Sequence, residues 1–302
     1  MILTRTQFDV LSFLEQENSS PGGGKNLTHR NIARLTGLSV GTVNKTLLSL
    51  GENNLCENNI ITSDGLRALE PYRVKRAVFI AAGFGSRLVP ITLNTPKPLV
   101  RVKGVRIIDT LLDAVNAAGI EEVVIVRGYL GEQFDQLRYK YPNIKFLENP
   151  LFNESNNISS AMCARYLLQN AYVLESDLLL NNRKLITKYQ YASNYLGVPV
   201  DRTDDWCFES RNGIITKVKV GGQNCHHMFG ISYWNETDGA KMADHIKQVF
   251  EMPGGKERYW DQVALEYFLK FYTIEIRECT FSDIIEIDTF SELKNLDETY
   301  RV

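Results

Sequence analysis

From Arg76 the chain reads RAVFIAAG, an unbroken apolar run that empties into glycine, and the same grammar then repeats. TLLDAVNAAGI has helical spacing, EEVVIVRGY reads as a strand and GEQFDQLRYKY as a helix. IKFLENP, SSAMCARYLLQN and AYVLESDLLL continue as strand, helix and strand. Strands apolar at every position, not every second one, are covered on both faces. Short strands alternating with helices therefore predict an α/β fold, a mixed but mostly parallel sheet with helices on both faces. Ligands of such sheets bind at the carboxyl ends of the strands, so chemistry-bearing residues are sought there.

The first such end is Ala81-Ala82-Gly83-Phe84-Gly85-Ser86-Arg87-Leu88. Glycines at 83 and 85 let successive backbone amides turn toward an anion, and Arg87 adds a fork of donors suited to phosphate. Downstream, Pro96 and Pro98 hold Lys97 in a stiff segment, where it can act as a point charge on an α-phosphate. No Gly-Lys-Ser/Thr follows, so this is not a Walker A loop. Leu88 takes the third glycine's place, so it is not a full dinucleotide fingerprint either.

Two acidic segments follow. Ala171–Asp177 is an apolar strand ending in Glu175-Ser176-Asp177, and Ile284-Ile285-Glu286-Ile287-Asp288-Thr289 alternates so that Glu286 and Asp288 share a face. Magnesium held by one or two carboxylates and by phosphate oxygens is a common arrangement in nucleotide enzymes. Paired acids otherwise repel unless a cation lies between them.

AAGFGSRL…TPKPL resembles the signature of the sugar-nucleotide pyrophosphorylase and cytidylyltransferase superfamily. The resemblance implies a Rossmann-like domain whose glycine loop holds an NTP, with Arg87 and Lys97 neutralising the triphosphate and the transition state. It places Asp177 and Asp288 as the ligands of a Mg2+ cofactor. Four strings resemble the bacterial CTP:phosphocholine cytidylyltransferases in particular: Asn156-Asn157 with Ser160, Asp205-Trp206, Gly230-Ile231-Ser232-Tyr233-Trp234 and Tyr259-Trp260-Asp261. CTP in preference to other NTPs follows from that resemblance alone. Ala82, Gly83, Gly85, Ser86, Gly128 and Ser160 are assigned to the nucleotide. Asn157, Trp206, Tyr259, Trp260 and Asp261 are assigned to the acceptor. Aromatic faces attract ammonium groups and a carboxylate adds an opposite charge, which fits a small cationic phosphorylated substrate. Tyr233 and Trp234 are assigned to packing. Phosphocholine leads among acceptors, with 2-aminoethylphosphonate, phosphoethanolamine and a sugar 1-phosphate as alternatives.

Residues 1–73 have a different grammar, and 74–302 are expected to form the nucleotidyltransferase domain. Leu3, Phe8, Leu11, Phe13 and Leu14 predict a helix that breaks at Ser19-Ser20-Pro21-Gly22-Gly23-Gly24. Thr28 caps a helix carrying Ile32, Ala33 and Leu35 that ends at Gly37, and Ser39 caps one carrying Val43, Leu47, Leu48 and Leu50. With a strand and short helix over Ile60–Leu69, the pattern resembles the winged helix-turn-helix of bacterial transcription regulators. Thr42, Asn44, Lys45 and Thr46 are expected to face outward. Residues 28–50 could thus meet DNA, yet residues 1–70 hold slightly more Asp and Glu than Lys and Arg, unlike a DNA binder. A module for packing, homodimerisation or regulation is the other reading. A regulator that senses a nucleotide without turnover is disfavoured, since sensing does not require Arg87, Lys97, Asp177 and Asp288 together.

The formal charge of −2 gives no prior for nucleic acid or membrane. No apolar run reaches the roughly 18 residues of a membrane span, and MILTRTQFDVLSFLEQ mixes charges through its apolar positions, unlike a signal peptide. The five cysteines are scattered without a C-x-x-C pair, which disfavours disulfides and structural zinc and fits a cytoplasmic location. Cys225-His226-His227 reads as strand or loop.

Overall fold

The computed structural model describes residues 2–19 and 27–301, so the break predicted at Ser19–Gly24 lies, past Ser19, outside the described residues. The chain divides into two compact units, one up to Arg73 and one from Val74.

The first unit comprises α1 (Arg5–Ser19), α2 (His29–Thr36), α3 (Val40–Glu52), the two-stranded ribbon β1 (Cys56–Glu57) and β2 (Ile60–Ile61), and α4 (Ser63–Leu69). Thr28 Oγ1 accepts from the Asn31 amide at 3.2 Å, and Ser39 Oγ from the Thr42 amide at 3.0 Å. Between them Gly37 takes a φ of 72°, the left-handed turn that ends α2. Leu11, Leu14, Ile32, Val43 and Leu50 are fully enclosed. One expectation fails here. Thr46 is buried, because it lies on the same helical stripe as Val43 and Leu50. Leu35 and Leu48 are exposed, Leu48 because it lies away from the stripe of Val43 and Leu50 and Leu35 because it stands at the margin of the Ile32–Ala33 face.

The second unit opens with β3 (Arg76–Ala81) and a small ribbon, β4 (Arg101–Val102) with β5 (Val105–Arg106). It continues with α5 (Ile107–Ala117), β6 (Glu122–Arg127), β7 (Ile144–Glu148), α6 (Ile158–Ala164), β8 (Ala171–Glu175) and β9 (Leu178–Leu180). Two long antiparallel strands follow, β10 (Asn194–Arg211) and β11 (Ile214–Trp234), then α7 (Glu236–Glu251), β12 (Glu275–Glu278), β13 (Ile284–Glu286) and α8 (Phe290–Leu296).

The seven-stranded sheet has the order β10-β12-β11-β8-β3-β6-β7. β3 pairs in parallel with both β6 and β8, whereas β11 joins β8 antiparallel, so the sheet is mixed. Alternate residues of β3 feed two cores: Ala77 and Phe79 join Leu111, Phe134 and Tyr172, while Val78 and Ile80 join Ile158, Trp234 and Trp260. That is why the run is apolar without interruption. The helix predicted after β6 forms as a 3-10 segment, Gly131–Tyr139. Arg127 donates to the Gly131 carbonyl at 2.9 Å and so competes for its first turn. The strand predicted over 171–180 is split into β8 and β9 by the turn at Ser176-Asp177.

Candidate active site

The carboxyl ends of β3 and β8 lie side by side, with Ile80 in register with Glu175. They open into a cleft of about 650 Å³. One wall is the loop after β3. Gly85 has a φ of 67°, and a Cβ there would meet Lys97 Cβ at 3.0 Å, so glycine is required for both conformation and close approach. Its carbonyl accepts from Thr92 Oγ1 at 3.0 Å. Gly83 has open space where a side chain would be, and Ala82, Gly83, Gly85, Ser86 and Arg87 all line the cleft.

The floor is charged. Lys97, buried in a proline-flanked turn, places Nζ 2.9 Å from Asp177 Oδ2 and 3.1 Å from Asp288 Oδ1. Burial pulls the Lys97 pKa down, but the two carboxylates outweigh it and hold the ammonium above its ordinary value. Arg87 reaches Asp288 Oδ1 at 2.7 Å from a mostly exposed position. The aspartates, far apart in sequence, meet because β13 pairs with β9 and the Ile287 amide donates to the Asp177 carbonyl at 3.2 Å. β13 stops at Glu286, so Asp288 is placed by the cap of α8 and not by strand alternation. The amides of Asp288 and Thr289 both donate to Glu292 Oε2 at 2.8 Å.

Two further acids join this floor. Glu175, Asp177 and Glu286 offer oxygens within 4.8 Å of one another. Burial raises the pKa of Glu175 and of Glu286, and the neighbouring carboxylates raise both further. Asp177 Oδ1 is buried with no hydrogen-bond partner. Such an atom among carboxylates fits a hard divalent cation. Sequence spacing alone gives no role to Glu175 or Glu286. The available signal was the acidic end of β8 and the Glu286-x-Asp288 spacing.

The far wall holds aromatic and polar groups. The rings of Trp206 and Tyr259 lie 6.0 Å apart, edge to face at 70°, and both line the cleft beside Asp205. Asp261 is buried and accepts from Tyr195 Oη at 2.6 Å. Burial lifts its carboxyl to about 7, against the opposing Tyr195 hydrogen bond. Asn157 donates to Glu175 Oε1 at 3.3 Å and accepts from the Trp260 amide at 2.9 Å. Ser160 faces the cleft and accepts from Asn149 Nδ2 at 3.0 Å.

Two assignments are corrected. Trp260 is fully buried and packs against Tyr195 and Trp234, so its ring belongs to the core and only its backbone supports the site. Its neighbours Tyr259 and Asp261 face the cleft, and the turn between them directs the indole the other way. Gly128 does not line the cleft. A Cβ there would overlap Phe152 at 2.6 Å, so the glycine seats Phe152, which does line it. Cys225, His226 and His227 lie in β11 as strand residues, with His226 meeting Glu278 at 3.0 Å and His227 meeting Thr203 at 3.2 Å.

Residues 76–195 match the family profile described as nucleotidyl transferase. The 2-aminoethylphosphonate cytidylyltransferase of Lancefieldella rimae is 32% identical over 228 residues, covering 74% of this chain and 92% of the relative. The chain belongs to the nucleotidyltransferase family. A choline-phosphate cytidylyltransferase of Haemophilus influenzae is 29% identical over 75% of this chain and 95% of its own length. Among solved structures, the CTP:phosphocholine cytidylyltransferase of Streptococcus pneumoniae superposes with a TM-score of 0.69 at 28% identity, covering 75% of this chain and 99% of that one. These two relatives and this solved structure are named as cytidylyltransferases and match over nearly their whole length, and the mixed sheet is the fold of this nucleotidyltransferase family.

Proposed function

We propose that the protein is a magnesium-dependent cytidylyltransferase that joins CMP from CTP to a small aminoalkyl phosphate or phosphonate and releases pyrophosphate. The observation that carries this reading is the placement of Lys97. Its ammonium lies between Asp177 and Asp288, between a glycine loop open to phosphate and a wall of Trp206, Tyr259 and Asp261. An acceptor oxygen that is already ionised attacks the α-phosphorus in line, so no general base is needed, and position and charge carry the rate. Lys97 donates to the α-phosphate oxygens, while Arg87 and the amides of residues 83–87 hold the departing pyrophosphate. Asp177 and Asp288, with Glu175 and Glu286 adjacent, would hold the magnesium. When bound, it would supply the positive charge that phosphoryl oxygens require.

The acceptor's ammonium would lie against Trp206 and Tyr259 with Asp205, Glu175 and Asp261 around it. With Trp260 withdrawn into the core, Trp206 and Tyr259 are the rings beside Asp205 and Asp261, with Phe152 the other aromatic ring lining the cleft, so the acceptor's surroundings are only partly aromatic. The buried carboxyls instead call for hydrogen-bond donors. A primary ammonium therefore fits better than phosphocholine, and the Lancefieldella relative, named for 2-aminoethylphosphonate, supports that choice. The test is pyrophosphate release with each NTP against 2-aminoethylphosphonate, phosphoethanolamine, phosphocholine and a sugar 1-phosphate. CTP with a primary amine should give a kcat/KM more than about tenfold above any other pair, roughly 1.4 kcal/mol. No release with any pair overturns the enzyme reading, and a preference for phosphocholine overturns the choice of acceptor.

A further inference from the structure

Through Arg73 the first unit carries seven basic and seven acidic side chains, a balance that by itself argues against a nucleic-acid surface. Their placement reverses that argument. Arg5 pairs with Asp9, Arg67 with Asp64 and Arg73 with Glu70. Arg30, Arg34 and Lys45 are exposed, and among the described residues no acidic group meets any of them. No Asp or Glu occurs between Glu17 and Glu52, a span that contains α2 and all of α3 but its last residue, Glu52. Among the described residues, the unpaired positive charge of this unit is therefore gathered on its helix-turn-helix.

The exposed face of α3 suits a groove. Gly41, Asn44, Lys45 and Leu48 are all exposed, and their spacing puts them on one stripe of the helix. A glycine permits close approach, the Asn44 Nδ2 can donate to a base edge, an ammonium meets phosphate and an apolar tip meets a thymine methyl. Arg30 and Arg34 stand one turn apart on α2, and the His29 ring ties that helix to Asn44 of α3 at 2.5 Å. We propose that the first unit binds duplex DNA, with α3 in the major groove and Arg30, Arg34 and Lys45 on the phosphates. The chain would then couple nucleotidyl transfer to a DNA-binding module. This inference does not rest on the identity of the acceptor.

The experiment uses the full-length protein and a fluorescein-labelled, mixed-sequence duplex of about 30 base pairs, followed by anisotropy. Three phosphate contacts predict that affinity falls about 40-fold between roughly 50 and 200 mM salt. Arg30→Ala, Arg34→Ala and Lys45→Ala combined should weaken binding at low salt at least about tenfold and flatten the salt slope. Pyrophosphate release should stay at the wild-type rate. Lys45→Glu alone should weaken binding with an unchanged circular dichroism spectrum, which separates lost contacts from lost fold. No anisotropy change at low salt overturns the proposal, as does wild-type binding by the triple variant. Competition by phosphatidylserine vesicles at equal phosphate also overturns it, because it would identify a lipid surface instead.

Discussion

Lys97→Met separates the two roles that the lysine would hold, counter-ion and catalyst. Each contact near 3 Å is worth about 5 kcal/mol of attraction at an effective dielectric of about 20. Burying the ammonium takes back most of this, and Asp177 and Asp288 keep 22% and 19% of their side chains open to solvent screening. A net loss of about 2 kcal/mol is the working figure, close to that of one charge-assisted hydrogen bond. For a unit of this size it lowers Tm by about 4–8 °C. Because the Lys97 pKa is raised, its contribution is fully present below the unfolded value near 10 and is lost only above it, so the deficit should be flat from pH 6 to 9.

The assay is thermal unfolding in EDTA and in magnesium, paired with steady-state kinetics. In EDTA the variant should melt lower than wild type. Magnesium should restore most of the deficit, because the carboxylates that lose their ammonium remain. Activity should stay down by about 100-fold or more, as for loss of a donor to a developing charge. An unchanged Tm in EDTA would refute the counter-ion role. Recovery of kcat together with Tm on adding magnesium would refute the catalytic one.

Trp206→Ala should raise the acceptor KM about 2- to 30-fold with the CTP KM unchanged, whereas Trp260→Ala should instead cost about 3–5 kcal/mol in denaturant unfolding. A Trp260 variant with wild-type stability would contradict its core placement. Asp261 holds its proton to about pH 7 when folded and releases it near 4 when unfolded, so wild type loses stability as pH rises between those values. Asp261→Asn lacks this loss, and its Tm advantage should grow from pH 5 to pH 7.5; a constant difference would show that the carboxyl titrates normally. In wild type the acceptor KM should fall as pH rises through 7, since the ionised carboxylate attracts the ammonium. Glu292→Ala removes the acceptor for the Asp288 and Thr289 amides, with an expected cost of about 1 kcal/mol and a several-fold fall in kcat. Glu292→Gln should restore both, and a kcat unaffected by either change would deny that the cap positions Asp288.

What could be read from the sequence depended on the range of the contacts involved. The β3 run, the glycine loop, Lys97 between its prolines and Asp177 at a strand's end are local patterns, and each lies where spacing puts it. Thr46 was legible too: it stands three residues after Val43 and four before Leu50, so helical spacing alone turns it inward. Trp260 was not legible, since three adjacent residues in a turn point in directions set by the turn and not by period. The clustering of four acids was hidden for a different reason. It depends on β13 pairing with β9 and on the Ile287 amide reaching the Asp177 carbonyl, contacts that span about a hundred residues. No single segment shows that Glu175 and Glu286 meet. Yet the cluster explains a local feature that its own segment does not. A lysine made rigid by two prolines and sunk below the surface is costly unless opposite charge awaits it, and here two distant strands and the cap of α8 deliver that charge.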